Sequence, residues 1–257
     1  MRKAAFCTIL LTVAMFLAGA IPAAAAPVYT WKDLGALPSP YNAGSFAYGL
    51  NTSGQVVGAC ENLGNYTRAF LYSGSGMTDL GSIPGYTSSI YAYGINASGQ
   101  VVGSSNSSAG WSRAFLYSFG ALHDLGGLNP GFINSGAYAI NAAGQVVGSS
   151  TTPLGYNHAF LYDGTMHDLG VLPYPNNSGS AAYGINATGL VVGSSGTPGY
   201  GHAFLYDGSM HDLGTLPDPY NDSSSASAIN VFGQVVGDSS NSSHELHAFF
   251  IQRWRHA

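Results

Sequence analysis

Charge is scarce in this chain. Charged residues make up 7% of it, against about 25% in ordinary soluble domains. Seven Lys and Arg stand against twelve Asp and Glu, and two of the seven, Arg2 and Lys3, fall in an N-terminal leader. So few basic residues leave no footprint for nucleic acid or for an anionic lipid surface. Cysteine is nearly missing: Cys7 lies in the leader and Cys60 stands alone beyond it. No intramolecular disulfide can then form after processing, and stability must come from packing. Past the leader no stretch approaches the ~20 apolar residues of a membrane span, and no segment of useful length carries a helical period. Low charge suggests disorder, but Val, Ile, Leu and aromatic residues recur too regularly for that and supply a core.

The leader reads as an export signal. Arg2 and Lys3 precede the apolar core "FCTILLTVAMFLAGAI", and "PAAAA" offers small residues for cleavage, the three parts such a signal needs. Cys7 sits at the front of the apolar core and not at the cleavage zone, so a lipid anchor is not indicated. The expectation is a signal peptide over residues 1–26, a secreted product, and one domain over residues 27–257.

What is abundant is glycine, tyrosine and repetition: 36 Gly and 17 Tyr. The element "INxxG" places Asn51, Asn96, Asn141, Asn186 and Asn230 at a period of about 45 residues. "DLG" recurs at Asp33, Asp79, Asp124, Asp168 and Asp212. The basic position of "H/R-A-F" is Arg68, Arg113, His158, His202 and His247. The order is rotated, because the chain beyond the leader opens on a "DLG" and closes on an "HAF".

One unit predicts four short strands. Ser180–Asn186 alternates small and large residues with the period of two of a strand, Ala182 and Gly184 on one face and Tyr183 and Ile185 on the other. Asn-x-x-Gly follows as a tight turn, then Gly144–Ser150 in its own copy, His158–Tyr162, a "DG" turn and Met166–Leu172. Four antiparallel strands per unit of this length match one blade of a β-propeller. The predicted fold is an all-β, five-bladed propeller in which Tyr29–Leu37 pairs with His247–Arg253, completes the last blade and covers an open edge. A β-solenoid is the alternative, and would want polar caps at both ends.

The pattern "HAFLYDGxMHDLGTL…INxxGQVVGxS" resembles the HAF repeat family of exported bacterial proteins over nearly all of residues 28–253. The resemblance implies an extracellular repeat protein and carries no catalytic residue over. Arg68 and Arg113 depart from it in place of His, and Leu190 in place of Gln. Some relatives carry a hydrophobic sorting tail; "FIQRWRHA" is not one.

Candidate chemistry is sparse. His167–Asp168 and His211–Asp212 point to opposite faces of a strand, and one such pair per blade is too dispersed to share a metal. Each "DLG" aspartate is expected to order its own blade through backbone groups or the His/Arg of the third strand. No G-x-S-x-G elbow and no calcium-loop ladder occurs, so no enzyme, metal or cofactor is expected. The loops carry more. Tyr66, Trp111, Tyr156 and Tyr200 precede the His/Arg by two residues, with Glu245 in the fifth copy. Tyr41, Tyr86, Phe132, Tyr174 and Tyr220 fall in the connections between units. Aromatic faces stack on the apolar faces of sugar rings, while nearby Asn and Asp bond hydroxyls. The nine form a candidate ligand set for extracellular glycan, and the architecture resembles five-bladed lectin propellers of the tachylectin type in fold alone. The competing reading packs Tyr156 between blades, in line with His158, Phe160 and Tyr162. The expected protein is thus a monomeric, non-enzymatic glycan binder or scaffold; alternatively it is a structural propeller that meets another envelope protein.

Overall fold

Two glycines shape each unit. The structure, a computed structural model, describes residues 29–131, 134–175, 177, 179–197, 200–216, 223–241, 243 and 245–252; the expected leader lies outside them. In the turn Asn-x-x-Gly the glycine takes positive φ, +73° at Gly54 and +83° at Gly144, where a Cβ would crowd the backbone. Oδ1 of Asn51 closes the turn by accepting from the backbone N–H of Ser53 (3.1 Å) and Gln55 (3.0 Å). Asn96, Asn141, Asn186 and Asn230 repeat it. The second glycine ends Val-Val-Gly. At Gly58, Gly103, Gly148, Gly193 and Gly237 a Cβ would stand 1.8–2.0 Å from a carbonyl oxygen of the neighbouring strand. Only a bare Cα allows that approach.

Five antiparallel sheets follow in chain order among the described residues. The first joins β1 (Gly44–Leu50), β2 (Val56–Glu61), β3 (Thr67–Tyr72) and β4 (Met77–Asp79). The second joins β5 (Ser89–Ile95), β6 (Val101–Asn106), β7 (Ser112–Ser118) and β8 (Ala121–Gly126). The third joins β9 (Ser135–Ile140), β10 (Val146–Thr151), β11 (Asn157–Tyr162) and β12 (Met166–Asp168). The fourth joins β13 (Ser180–Ile185), β14 (Val191–Thr197), β15 (Tyr200–Tyr206) and β16 (Met210–Gly214). The fifth has three described strands, β17 (Ser224–Ile229), β18 (Val235–Ser240) and β19 (Leu246–Ile251). The first strands β1, β5, β9, β13 and β17 pack on one another in turn, so each is the inner strand of its sheet, as in propeller blades.

Two strand expectations need correction. Met166–Leu172 pairs only to Asp168. Leu169 N–H still reaches Ala159 O at 2.9 Å, but Gly170 then turns at φ +75°. That turn carries Leu172 across to the fourth sheet, where its N–H donates to Ser195 Oγ at 2.9 Å. Ala182 and Gly184 do not share a face either. A β-bulge lies between them: Ala182 packs back on Val147 and Ala159, while Gly184 faces forward to Ala228 of the fifth sheet. The extra residue re-aims the strand.

Core lies between sheets. Val102 and Ala114 of the second meet Ala137, Val146 and Phe160 of the third. Val147 and Ala159 of the third meet Ala182, Val191 and Phe204 of the fourth. The connecting segment enters each of these interfaces through its backbone. N–H groups of Leu128, Leu172 and Leu216 donate to Ser150, Ser195 and Ser239 Oγ at 2.9–3.1 Å.

Met1–Asp33 separates as one unit and Leu34–Ala257 as another. Within the second, Leu34 and Leu37 sit on the first sheet with Cys60, Phe70 and Tyr72. Leu37 N–H points to Cys60 Sγ at 3.4 Å, the place of the serine in later copies. Leu34 to Leu37 therefore dock forward as the matching residues of later copies do. Residues 29–37 carry no strand, the fifth sheet has three described strands, and the expected closing pair with His247–Arg253 is not shown among the described residues. Arg253 lies outside them.

Candidate ligand site between the third and fourth sheets

The "DLG" aspartate is a structural hub. Asp79 accepts from Arg68 Nε at 3.0 Å and from Gly81 N–H at 2.9 Å. Asp124 does the same with an Arg113 guanidinium nitrogen at 3.0 Å and Gly126 N–H at 2.8 Å. In the third and fourth sheets His158 and His202 take over, Nδ1 standing 2.9 and 3.1 Å from Asp168 and Asp212. The pair ties third strand to fourth in one sheet, as expected. His167 and His211 serve the "DG" turn instead: their Nε2 atoms lie 2.9 and 2.8 Å from Asp163 and Asp207. Those hydrogen bonds hold both carboxyls below the usual carboxylate range. Among the described residues no three His, Cys, Asp or Glu side chains gather as a metal site would require.

The aromatic residues divide by connection. Those between units are engaged. The Arg68 guanidinium stands 5.8 Å from the centre of the Tyr41 ring, and that of Arg113 stands 5.1 Å from the centre of Tyr86, cation–π distances. Tyr174 sets its ring edge-on to His202 at 5.3 Å and donates its hydroxyl proton to Asp212. That bond pushes the Tyr174 hydroxyl up to about 12. Burial opposes ionisation of Asp212, yet Tyr174, Gly214 N–H and His202 together bring its carboxyl below the usual range. Phe132 and Tyr220 lie outside the described residues.

The other set is open to water. Tyr66, Trp111 and Tyr156 are 50%, 45% and 49% exposed, each at the end of a loop before the third strand. Tyr200 enters β15, and its side chain lies outside the described residues. Tyr156 borders a cavity of about 490 Å³ lined by Gly155, Asn157, Gly179, Ser180, Ala181, Tyr183, Ser194, Gly196 and Gly201. The third sheet gives its loop, the connecting segment gives Gly179, and the fourth sheet gives the floor. Glycine backbone, Ser180, Ser194 and Asn157 line it together with the rings of Tyr156 and Tyr183. Two smaller cavities, about 260 and 240 Å³, lie on the opposite edge, beside the tight turns at Gly99 and Gly233.

Tyr183 was not among the sequence candidates. It is the bulge residue of β13, and Tyr48, Tyr93 and Tyr138 occupy the same bulge in β1, β5 and β9. Their ring centres stand 5.9, 6.0 and 5.8 Å apart in succession, a column of phenols along the inner strands. Burial raises the Tyr93 hydroxyl above its ordinary value. The only sequence signal was "AYG/AYA" at the repeat period, which strict alternation assigns to packing.

The sheets define an all-β repeat protein built of propeller-like blades. No family model and no curated protein matches the chain. Among solved structures it is similar to a puromycin-hydrolysing peptidase of Mycobacterium tuberculosis (15% identity, TM-score 0.55), covering 85% of this chain and 38% of that one. It is also similar to the six-bladed fucose-recognising lectin of Aleuria aurantia (14% identity, TM-score 0.42; 80% and 73% covered). TolB of Acinetobacter baumannii matches at 11% identity and TM-score 0.45, with 80% and 53% covered. Likeness at these identities speaks to fold alone.

Proposed function

We propose that the protein is a secreted, non-enzymatic binding protein of the HAF repeat type that takes extracellular glycan on the loop edge of its sheets. The observation that carries the reading is the cleft between Tyr156 and Tyr183. It is open, and its lining mixes polar groups with the rings of Tyr156 and Tyr183, which suits a sugar that stacks one face and bonds through its rim. Asn157 and Ser194 supply side-chain partners for hydroxyls. Export rests on the leader at residues 1–26; among the described residues no helix is long and apolar enough to cross a membrane. A glycan array probed with the purified chain, repeated with Tyr156→Ala, tests the reading. Retained polysaccharide hits that weaken in the variant are expected. An array without hits shifts the assignment to a structural propeller of the envelope or matrix, a reading favoured by the engagement of Tyr41, Tyr86 and Tyr174 with Arg68, Arg113 and His202.

A further inference from the structure

The outer faces of the first and last sheets are the two halves of an interface that the chain already makes four times. Each sheet offers a forward face to the next one. Val57, Val102, Val147 and Val192 are fully buried on it, as are Ala69, Ala114, Ala159 and Ala203. In the fifth sheet the same positions are Val236, 45% exposed, and Ala248, also exposed, with Phe250 beside them at 60%. The backward face behaves likewise. Ala92, Ala137, Ala182 and Ala226 are fully buried by the preceding sheet, whereas Ala47 of the first sheet is exposed together with Leu50.

A directional hydrogen bond labels the same two faces. Nδ2 of Asn51 donates to the carbonyl of Asn96 at 3.0 Å, Asn96 to Asn141 at 3.1 Å, Asn141 to Asn186 at 3.1 Å and Asn186 to Asn230 at 3.0 Å. Each rung runs forward by one repeat. Asn51, Asn96, Asn141 and Asn186 are buried by the sheet they reach, and Asn230 is exposed. The first sheet presents, in Asn51, a carbonyl equivalent to those that accept in the other four.

We propose that a second copy of this chain occupies the forward face of the fifth sheet, docking its own first sheet head to tail. Val236, Ala248 and Phe250 then meet Ala47, Leu50 and Val56, and Asn230 Nδ2 donates to Asn51 O of the next copy. The incoming copy brings its connecting segment in place. Leu34 and Leu37 already lie on its first sheet as Leu169 and Leu172 lie on the fourth. No new type of contact is needed, because the interface continues one established four times within each chain. The contact is heterologous, so it closes into a ring of copies or extends as a chain of them. This departs from the monomer expected from sequence, where closure between the ends of one chain would have covered both faces.

Light scattering on the chain as it elutes by size, over a wide range of concentration, tests the proposal. Masses of two or more copies that fall on dilution are expected. Ala47→Arg and Ala248→Arg should each give a single chain with an unchanged melting temperature, since both positions face water in one copy. Asn230→Asp keeps the turn's acceptor and removes the forward donor, and should weaken association about tenfold. A single-chain mass at every concentration overturns the proposal, as does association untouched by both arginine variants. Arginine variants that stay monomeric beside a monomeric parent but melt lower overturn it too, and place the two faces against each other within one chain.

Discussion

Tyr174 and Asp212 form the most perturbed titrating pair described. The neutral hydroxyl donates, so folding holds the proton on Tyr174 and raises its ionisation to about 12. Stability from this bond is fully present below the ordinary tyrosine value near 10 and is lost as pH rises through the folded one. Ultraviolet titration should therefore show one phenol ionising about two units late, and Tyr174→Phe should remove that component. Asp212 works in the opposite sense: its lowered carboxyl contributes above the unfolded value and fails as pH falls through the folded one. Gly148 gives a sharper test of packing. A Cβ there would stand 1.9 Å from Gly136 O, and backbone cannot withdraw cheaply. Gly148→Ala should cost about 3 kcal/mol in urea unfolding. The glycine was visible in "GQVVG", but its reason was not, because the clash lies across two strands.

Turn and strand were legible where their cause is local. Asn-x-x-Gly announces its hairpin because both the acceptor and the positive φ belong to the turn itself. Nothing local announces that the same Asn reaches forward by a whole repeat, or that Gln55, Gln100 and Gln145 hold its amide in place at 2.7–2.8 Å. Leu190 breaks that support for Asn186 without breaking the rung. Strict alternation also hid the bulge: a strand that reads Ala-Tyr-Gly with period two yields a buried tyrosine, and one extra residue turns the ring inward to the column. Asn96→Ala should lower stability by about 1–3 kcal/mol, as buried partners lose their bonds. Asn230→Ala, whose side chain is wet, should cost less. A lower urea midpoint at unchanged slope checks both.

Under the proposed function the exposed loop aromatic recurs at Tyr66, Trp111 and Tyr156, so one chain offers several equivalent contacts to a polymer. Single sugars should bind feebly and polysaccharides better, since a polymer that engages two contacts gains about 10²–10⁴-fold. Titration calorimetry with a monosaccharide and its polymer would check the ratio, and equal affinities per sugar unit would deny it. Trp111→Ala should reduce polymer avidity while the melting temperature stays nearly constant, because Tyr66, Tyr156 and every core between sheets persist. The forward-running asparagines carry one more implication, for copy number. A rung that gives on one side and receives on the other has no privileged partner. A whole repeat inserted between any two neighbours would find a carbonyl ahead of it and an amide behind, with the valine and alanine seams in register. Gene duplication could lengthen or shorten such a protein by one blade without inventing a contact, so blade count is open to variation in a way that the interior of a blade, pinned by Gly148 and its equivalents, is not.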